Sequence, residues 1–437
     1  MAGYEFSPVD VWLMNSVEEG YHFDDRCKVP VEWVEEVIIW EGLWYIVPGC
    51  QVRVTDFGMS YLSYRSIGNV VVSVGLDRSK MVVFDMAVCS VGDSRLEHVM
   101  RPTAVSLKLM GYGMPGVWLL AKGFRGYGER NASKVAVEFV SDVVYSNYSK
   151  VCGVLKWEEE VDPSYDRKNY LQGGRSGFSF LGYLRDCAKN SGGEQDYFVW
   201  FEPVVDGGGV GWRFRFRSFA ELVKQEVKCY LEYVVDGRRW DEAWENNGYL
   251  KEEGVKVVPF MWYEVLGRSI VSDTMKSRFV KYGFDLGKLN VEKVIVDGVR
   301  QVLGKNVRSN VLASVLSKAK GMVTEVVNVG AIDMKDRTVP DTGLFQKCKM
   351  MRKWCVVVPG VSDLGVGDKV RVLFPDGYGE MCEALSGEWI VGGVVHLWSN
   401  PGRNYLKKLV LVSDVWKNER KEISDSSGSE EVAGWIG

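Results

Sequence analysis

Histidine is nearly absent from this chain: 437 residues contain three, His22, His98 and His396, far apart and with no H-x-x-x-H pair. A histidine metal site or a Cys/His nucleophile needs several such groups delivered together, so no single segment supplies one. The nine cysteines are odd in number and never spaced C-x-x-C. A zinc ribbon, a thioredoxin motif and a regular disulfide framework are therefore unsupported, and free thiols in a reducing compartment are the expected state. Net charge is also small, 54 basic against 58 acidic side chains giving −4, which leaves no field to hold nucleic acid or anionic lipid. No apolar run approaches the ~18 residues of a membrane span. The start, MAGYEFSPVDVW, has neither a basic segment nor an apolar stretch, so cytosolic synthesis without stable membrane insertion is expected.

Aromatics, by contrast, are plentiful: 16 Trp, 20 Tyr and 18 Phe in a chain that is 46% apolar and 26% charged. That is the composition of a folded protein, and the length suggests about three domains. From Val31 to Val88 short runs rich in Val, Ile, Trp and Tyr predict strands at Val37–Trp40, Leu43–Val47, Gln51–Val54, Asn69–Val74 and Met81–Val88. A hairpin connection is expected at Leu76–Ser79, and a further strand at Ala104–Met110. The period then changes. Ala132, Val135, Ala136, Phe139, Val140, Val143 and Val144 recur at helical spacing behind Asn131, a candidate cap. A second helix is expected after Ser176, ending near Gly192-Gly193. A hairpin of Tyr197–Phe201 and Trp212–Phe216 follows, turning at Asp206–Gly209. Ser218-Phe219-Ala220-Glu221 then reads as a capping box opening a third helix that runs to Tyr230.

Between 250 and 350 the pattern predicts only a strand at Lys293–Val296 and a helix at Asn310–Lys320. From Trp354 to Val415 it is β again, with strands at Cys355–Val358, Lys369–Phe374, Glu388–His396 and Leu406–Val412. The polar stretch from Asn418 to Gly437 reads as a mobile tail.

Four features invite a chemical reading. Gly111-Tyr112-Gly113-Met114-Pro115-Gly116 matches G-x-G-x-x-G. Pro115 inside the turn, a strand-like Val117–Ala121 and no acid downstream to hold a ribose make it a turn rather than a dinucleotide site. Trp212-Arg213-Phe214-Arg215-Phe216-Arg217 alternates aromatic and cation, which places the rings on one face and the arginines on the other. Stacking of unpaired bases needs both on one face. The acidic runs Glu35/Glu36, Glu158/Glu159/Glu160 and Glu252/Glu253 read as solvated surface, whereas a glycosidase needs two carboxylates about 5 to 9 Å apart in a cleft. No G-x-S-x-G elbow exists for a serine nucleophile; the glycine-serine cluster Gly173–Gly177 falls at a helix start. No catalytic, cofactor-binding or metal-ligating residue is assigned on these grounds, no cofactor is expected, and partner-binding residues remain unassigned.

Three segments in order carry a resemblance. The first is the β region ending in Trp118-Leu119-Leu120-Ala121-Lys122-Gly123-Phe124-Arg125, followed by the helix with Ser133, Val137 and Val140. The second is Asn169-Tyr170-Leu171-Gln172 through Ser179-Phe180-Leu181-Gly182-Tyr183-Leu184, with Trp212–Leu222 after it. The third is Asp363-Leu364-Gly365-Val366-Gly367-Asp368-Lys369-Val370, then Leu385–His396 and Tyr405–Val412. Together they span roughly residues 30 to 415 and resemble the baseplate hub proteins of bacteriophage tails and related injection machines: the T-even hub, the late-control D protein of temperate phages and the N-terminal half of VgrG. Lys407 or Lys408 departs from this pattern, standing where the family has a small polar residue.

The resemblance implies a mixed α+β, β-rich fold with two tail-tube-like antiparallel β-barrel domains and α/β insert regions. It places a first tube-like domain at 1–130, a hub insert at 131–232, a connecting region of uncertain fold at 233–350, part of a second barrel at 351–417 and a tail at 418–437. It further implies a non-enzymatic late virion protein, a homotrimer in the tail baseplate, assembled in the host bacterial cytoplasm. Its partners would be the tail tube protein and the central spike protein, with tape measure and baseplate wedge proteins as further candidates and genomic DNA only in transit during ejection. A β-rich carbohydrate-binding or carbohydrate-cleaving virion protein is the alternative, because exposed Trp stacks on sugar rings; a nucleotide-dependent enzyme is a third.

Overall fold

The computed structural model describes residues 9–14, 27–57, 68–74, 82–95, 104–152, 156–204, 211–252, 254–266, 278–285, 290–297, 324–328, 352–375, 382, 385–400 and 404–413. The chain forms two compact units, residues 1–264 with 355–411, and residues 265–354 with 412–437.

The first unit opens with six antiparallel strands, β1 (Val9–Met14), β2 (Val34–Gly42), β3 (Gly49–Phe57), β4 (Asn69–Val74), β5 (Val82–Arg95) and β6 (Ala104–Gly113), in the order β1-β4-β5-β6-β3-β2. Alternation sets which side chains go inward. Val9, Val11 and Leu13 of β1, Val52 and Val54 of β3, Val70 and Val72 of β4, and Phe84 and Met86 of β5 share one core. Val71, Val83 and Ala87 point to the opposite face and join a second core. Strand β4 is thus buried on both faces, which fits its consecutive Val70-Val71-Val72. Leu43–Val47, expected as a strand, is the turn between β2 and β3, where the Tyr45 N–H donates to the Gly42 carbonyl at 2.9 Å.

The chain continues as α1 (Pro115–Leu119), β7 (Gly126–Arg130), α2 (Ala132–Val140), α3 (Ser146–Cys152), β8 (Lys156–Val161), β9 (Lys168–Leu171), α4 (Gly177–Cys187), β10 (Tyr197–Pro203), β11 (Gly211–Ser218) and α5 (Phe219–Lys224). A π-helical turn, Ser141–Tyr145, links α2 to α3. After Val140 this wide turn delays the inward position by one residue, so Val144 and then Tyr148 are buried and Asn147 is not. The outer face of β4 and β5 packs on this helix and on the aromatic faces of β10 and β11.

Two caps differ from expectation. Asn131 precedes α2, but its side chain donates to the Ser164 carbonyl, and the first free N–H groups of the helix are taken by Asp166 and Ser164 from 31 to 34 residues away. Ser218 likewise donates to Asp196, which also accepts the Ala220 N–H. The predicted capping box is replaced by one distant carboxylate, and the third helix stops at Lys224 rather than reaching Tyr230.

Tyr230 instead lies in β12 (Cys229–Tyr233). Helix α6 (Gly237–Glu245) comes next, capped by Asp236. The chain continues through β13 (Val257–Phe260), β14 (Trp262–Leu266), β15 (Arg278–Asp285), β16 (Asn290–Asp297), β17 (Thr324–Asn328), β18 (Arg352–Pro359), β19 (Lys369–Leu373), β20 (Gly387–Ser399) and β21 (Asn404–Ser413). The strands expected at 355–412 are present, and β12, β13 and β14 join them. Strand β2 pairs with β20 from Glu36↔Ser399 to Gly42↔Gly393, so one sheet runs through both β regions. The expected barrel closure is not found in the pairing among the described residues. The strand path ends at β1 and β13, with a branch from β20 through β21 and β18 to β14. At one open end β13 and β14 are joined through Met261 rather than hydrogen-bonded. At the other, the Val29 N–H reaches the Val11 carbonyl at 2.8 Å and brings the approach to β2 against β1.

In the second unit β15 pairs antiparallel with β16 and parallel with β17. The expected strand Lys293–Val296 lies inside β16, whereas the expected helix Asn310–Lys320, the turns at Leu76–Ser79 and Asp206–Gly209, and the tail from Asn418 lie outside the described residues.

Candidate functional site

The glycine motif is a packing device. Gly111 and Gly113 end β6, and Gly116 lies in α1, so Val117–Ala121 is largely helix rather than the expected strand. A Cβ on Gly111 would stand 2.7 Å from the Ala87 carbonyl oxygen, one on Gly113 3.0 Å from the Trp212 ring, and one on Gly116 2.7 Å from Tyr112. The space that a phosphate would need is filled by protein. Ser176 in the glycine-serine cluster is the cap of α4, accepting the Ser179 N–H at 3.3 Å.

The arginine strand divides as its alternation predicts. Trp212, Phe214 and Phe216 are fully buried in the core beneath α2 and α4. The cationic face, however, is a charge ladder rather than a solvated surface. Parallel pairing of β8 with β11 sets Glu158 beside Arg213 and Glu160 beside Arg215. Arg213 binds Glu158 at 2.5 Å and Glu202 at 2.8 Å; Arg215 binds Glu202 at 2.8 Å and also Glu160; Arg217 binds Asp162 at 2.9 Å and also Glu160. Burial raises the Glu202 carboxyl above its ordinary range even against the Arg215 guanidinium. The reading of Glu158 and Glu160 as solvated surface is therefore corrected: residues i and i+2 share a strand face, and the neighbouring strand supplies their partners. Only Glu159 of the three is exposed. Glu35 accepts from Thr55 at 2.5 Å, Glu36 from Gln51 at 3.1 Å, and Glu252 pairs with Arg239 at 2.8 Å.

His396, which sequence reasoning left isolated, sits buried where the two β regions meet. Its Nδ1 lies 2.7 Å from the Tyr405 hydroxyl and its Nε2 3.3 Å from Glu41 Oε1. A neutral ring that accepts from Tyr405 and donates to Glu41 satisfies both nitrogens, and burial holds its pKa below the ordinary value. Lys407 lies close by with its ammonium on the Ser362 and Leu364 carbonyls. No sequence signal could place Glu41 beside His396, 355 residues away. His22 and His98 lie outside the described residues.

Burial pushes the thiols of Cys50 and Cys229 up to about 12 and that of Cys187 up to about 11, so these sulfurs stay protonated. Seven described cysteines are free thiols. Among the described residues no three His, Cys, Asp or Glu side chains converge as metal ligands, and no helix is long and apolar enough to cross a membrane. What remains open to partners is surface: Leu120 and Phe124 between α1 and β7, and Trp262 and Tyr263 on β14, are exposed. Trp262 is the one exposed tryptophan among those described, and its ring meets Trp240 edge-on at 5.6 Å.

No protein-family model matches the chain, and no curated protein matches it in sequence. Among solved structures it is similar to the tail protein from Neisseria meningitidis MC58, 10% identical with a TM-score of 0.50, over 93% of this chain and 96% of that one. It is also similar to the 43 kDa tail protein of prophage MuSo2 from Shewanella oneidensis, 9% identical with a TM-score of 0.50, over 93% of this chain and 98% of that one. The chain thus has the β-rich, mixed α+β fold of phage tail proteins. The likeness that the three sequence segments pointed to holds at the level of the whole fold.

Proposed function

We propose that this chain is a structural hub of a phage or phage-like tail baseplate, a homotrimer joining the hexameric tail tube to the central spike and leaving a lumen for DNA. The observation that carries the reading is the end-to-end likeness to two tail proteins, which leaves little of either chain unmatched. The division into tube-like regions at 1–130 and 351–417, an insert at 131–232, a connecting region at 233–350 and a tail at 418–437 belongs to the same reading. Each copy then contributes two β regions, and three copies present six to a tube of hexameric symmetry while the true threefold faces the spike. Such a ring needs heterologous contacts that close.

A non-enzymatic role is supported by how the ionisable groups are used: the ladder carboxylates are paired with arginines, and Glu41, His396 and Tyr405 hydrogen-bond one another. Placement in the virion tail, with the tail tube and spike proteins as partners, follows from the same reading. The test is light scattering on the purified chain, followed by co-sedimentation with its cognate tail tube protein. A trimer that binds tube ends is expected. A stable monomer that leaves the tube protein unbound, or one that retains an oligosaccharide, overturns the proposal.

A further inference from the structure

The segments that follow α1 and precede α4 form an exposed ribbon that the packing of the chain leaves unused. Residues 120–126 run beside 171–177: the Gly174 N–H donates to the Gly123 carbonyl and the Gln172 N–H to the Arg125 carbonyl, both at 2.8 Å, and Lys122 bridges Ser176. Phe124 is 85% exposed, Leu120 57% and Leu171 44%. The Phe124 ring rests on the Gly174 backbone, where an added Cβ would stand 3.2 Å from it, and Gly174 has a φ of +78°. One face of the ring is thus supported by bare main chain, and the rest of it is open.

The ribbon is also basic. From Leu120 to Arg130 and from Arg167 to Ser176 there are six cations and a single acid, Glu129. Arg130 and Arg167 are held by Glu138 and Glu129. Lys122 and Arg175 have no carboxylate partner among the described residues, and Arg125 has Asp142 at 3.8 Å. Residues 422–437 have the opposite chemistry: Glu422, Asp425, Glu430 and Glu431 with no Lys or Arg, together with Val432, Trp435 and Ile436.

We infer that residues 422–437 of one copy dock on the Phe124 ribbon of a neighbouring copy. Trp435 packs on Phe124 and the glycine backbone, and the carboxylates face Lys122, Arg125 and Arg175. The two surfaces differ, so the contact is heterologous and repeats around a closed ring; the inference rests on the homotrimer reading above. Charge steers the approach and the buried rings hold the contact. The eight residues between Ser413 and Glu422 span at most roughly 30 Å when extended, which bounds the separation of the neighbouring ribbon.

The experiment places a photo-crosslinking residue at position 124 of the full chain, mixes heavy-isotope-labelled and unlabelled copies before assembly, and identifies crosslinked peptides by mass spectrometry. Crosslinks from 124 into 422–437 are expected, with mixed-isotope pairs among them. Crosslinks to other segments, to a tube or spike protein in assembled tails, or in same-isotope pairs alone overturn the inference. Light scattering on the same sample separates the two ideas: a monomer removes the hub reading, whereas a trimer without these crosslinks removes only this contact. As a second measurement, a peptide of residues 422–437 should bind the tail-truncated chain, as read from its Trp435 fluorescence. Phe124→Ser or Glu430→Gln/Glu431→Gln should weaken that binding about tenfold, and unchanged binding counts against the proposal.

Discussion

The Tyr148 hydroxyl donates to Asp85 Oδ2 at 2.8 Å and accepts from the Trp212 indole at 3.2 Å, and all three side chains are buried. This chain of hydrogen bonds ties strand β5 of the first β region to helix α3 and strand β11 of the insert. Removing the hydroxyl takes one hydrogen bond from the Asp85 carboxylate and the acceptor from the buried Trp212 indole. Tyr148→Phe should therefore lower stability by about 1 to 3 kcal/mol, read as a drop in the urea midpoint at unchanged slope. An unchanged midpoint would mean that these two hydrogen bonds contribute nothing net.

The charge ladder gives a second expected loss. Glu202 accepts from Arg213 and Arg215 at 2.8 Å each and from the Trp200 indole at 3.2 Å. Removing it leaves Arg213 with Glu158 and Arg215 with Glu160 and takes the acceptor from the buried Trp200 indole, so Glu202→Ala should cost about 1 to 3 kcal/mol. Exchange of both charges for apolar residues, Glu202→Leu with Arg215→Met, should cost less than Glu202→Ala alone. Denaturant unfolding of the three proteins decides this, and a double variant weaker than the single one refutes it.

Lys407 makes the fold sensitive to alkaline pH. Burial pushes its ammonium down to about 8 from the ordinary 10.5. A base depressed on folding contributes stability that is complete above its unfolded pKa and lost as pH falls through its folded one. Relative to Lys407→Met, the native protein should therefore gain stability between pH ~8 and ~10. Urea midpoints for both proteins at the two ends of that window test it, and a constant gap between them contradicts it.

Gly111→Ala separates packing from ligand binding. The added methyl would lie 2.7 Å from the Ala87 carbonyl oxygen, which is backbone and cannot turn aside. The expected cost is about 1 to 3 kcal/mol of overpacking, seen as a lower melting temperature. Calorimetric titration of the unaltered protein with ATP or NAD should show no heat of binding. A nucleotide affinity abolished by this variant would revive the dinucleotide reading of the motif.

Much was legible in the sequence because it is local. Period-two runs such as Trp212–Phe216 fix which side chains share a face, and the helical recurrence from Ala132 to Val144 fixes α2, whatever surrounds them. The order of three short motifs also pointed to the tail-protein fold before any contact was known. Tertiary structure decided what depends on distant partners. Asp196 rather than Ser218 caps α5, Glu158 and Glu160 are spent on arginines 55 residues away, and His396 meets Glu41 across the β2–β20 pairing. The isolated histidine and the adjacent acids looked idle in sequence because hydrogen bonding and desolvation are set by neighbours in space. Composition supplied the aromatics, and only the fold determined that most described tryptophans are at least partly buried while Phe124 stands bare on a basic ribbon.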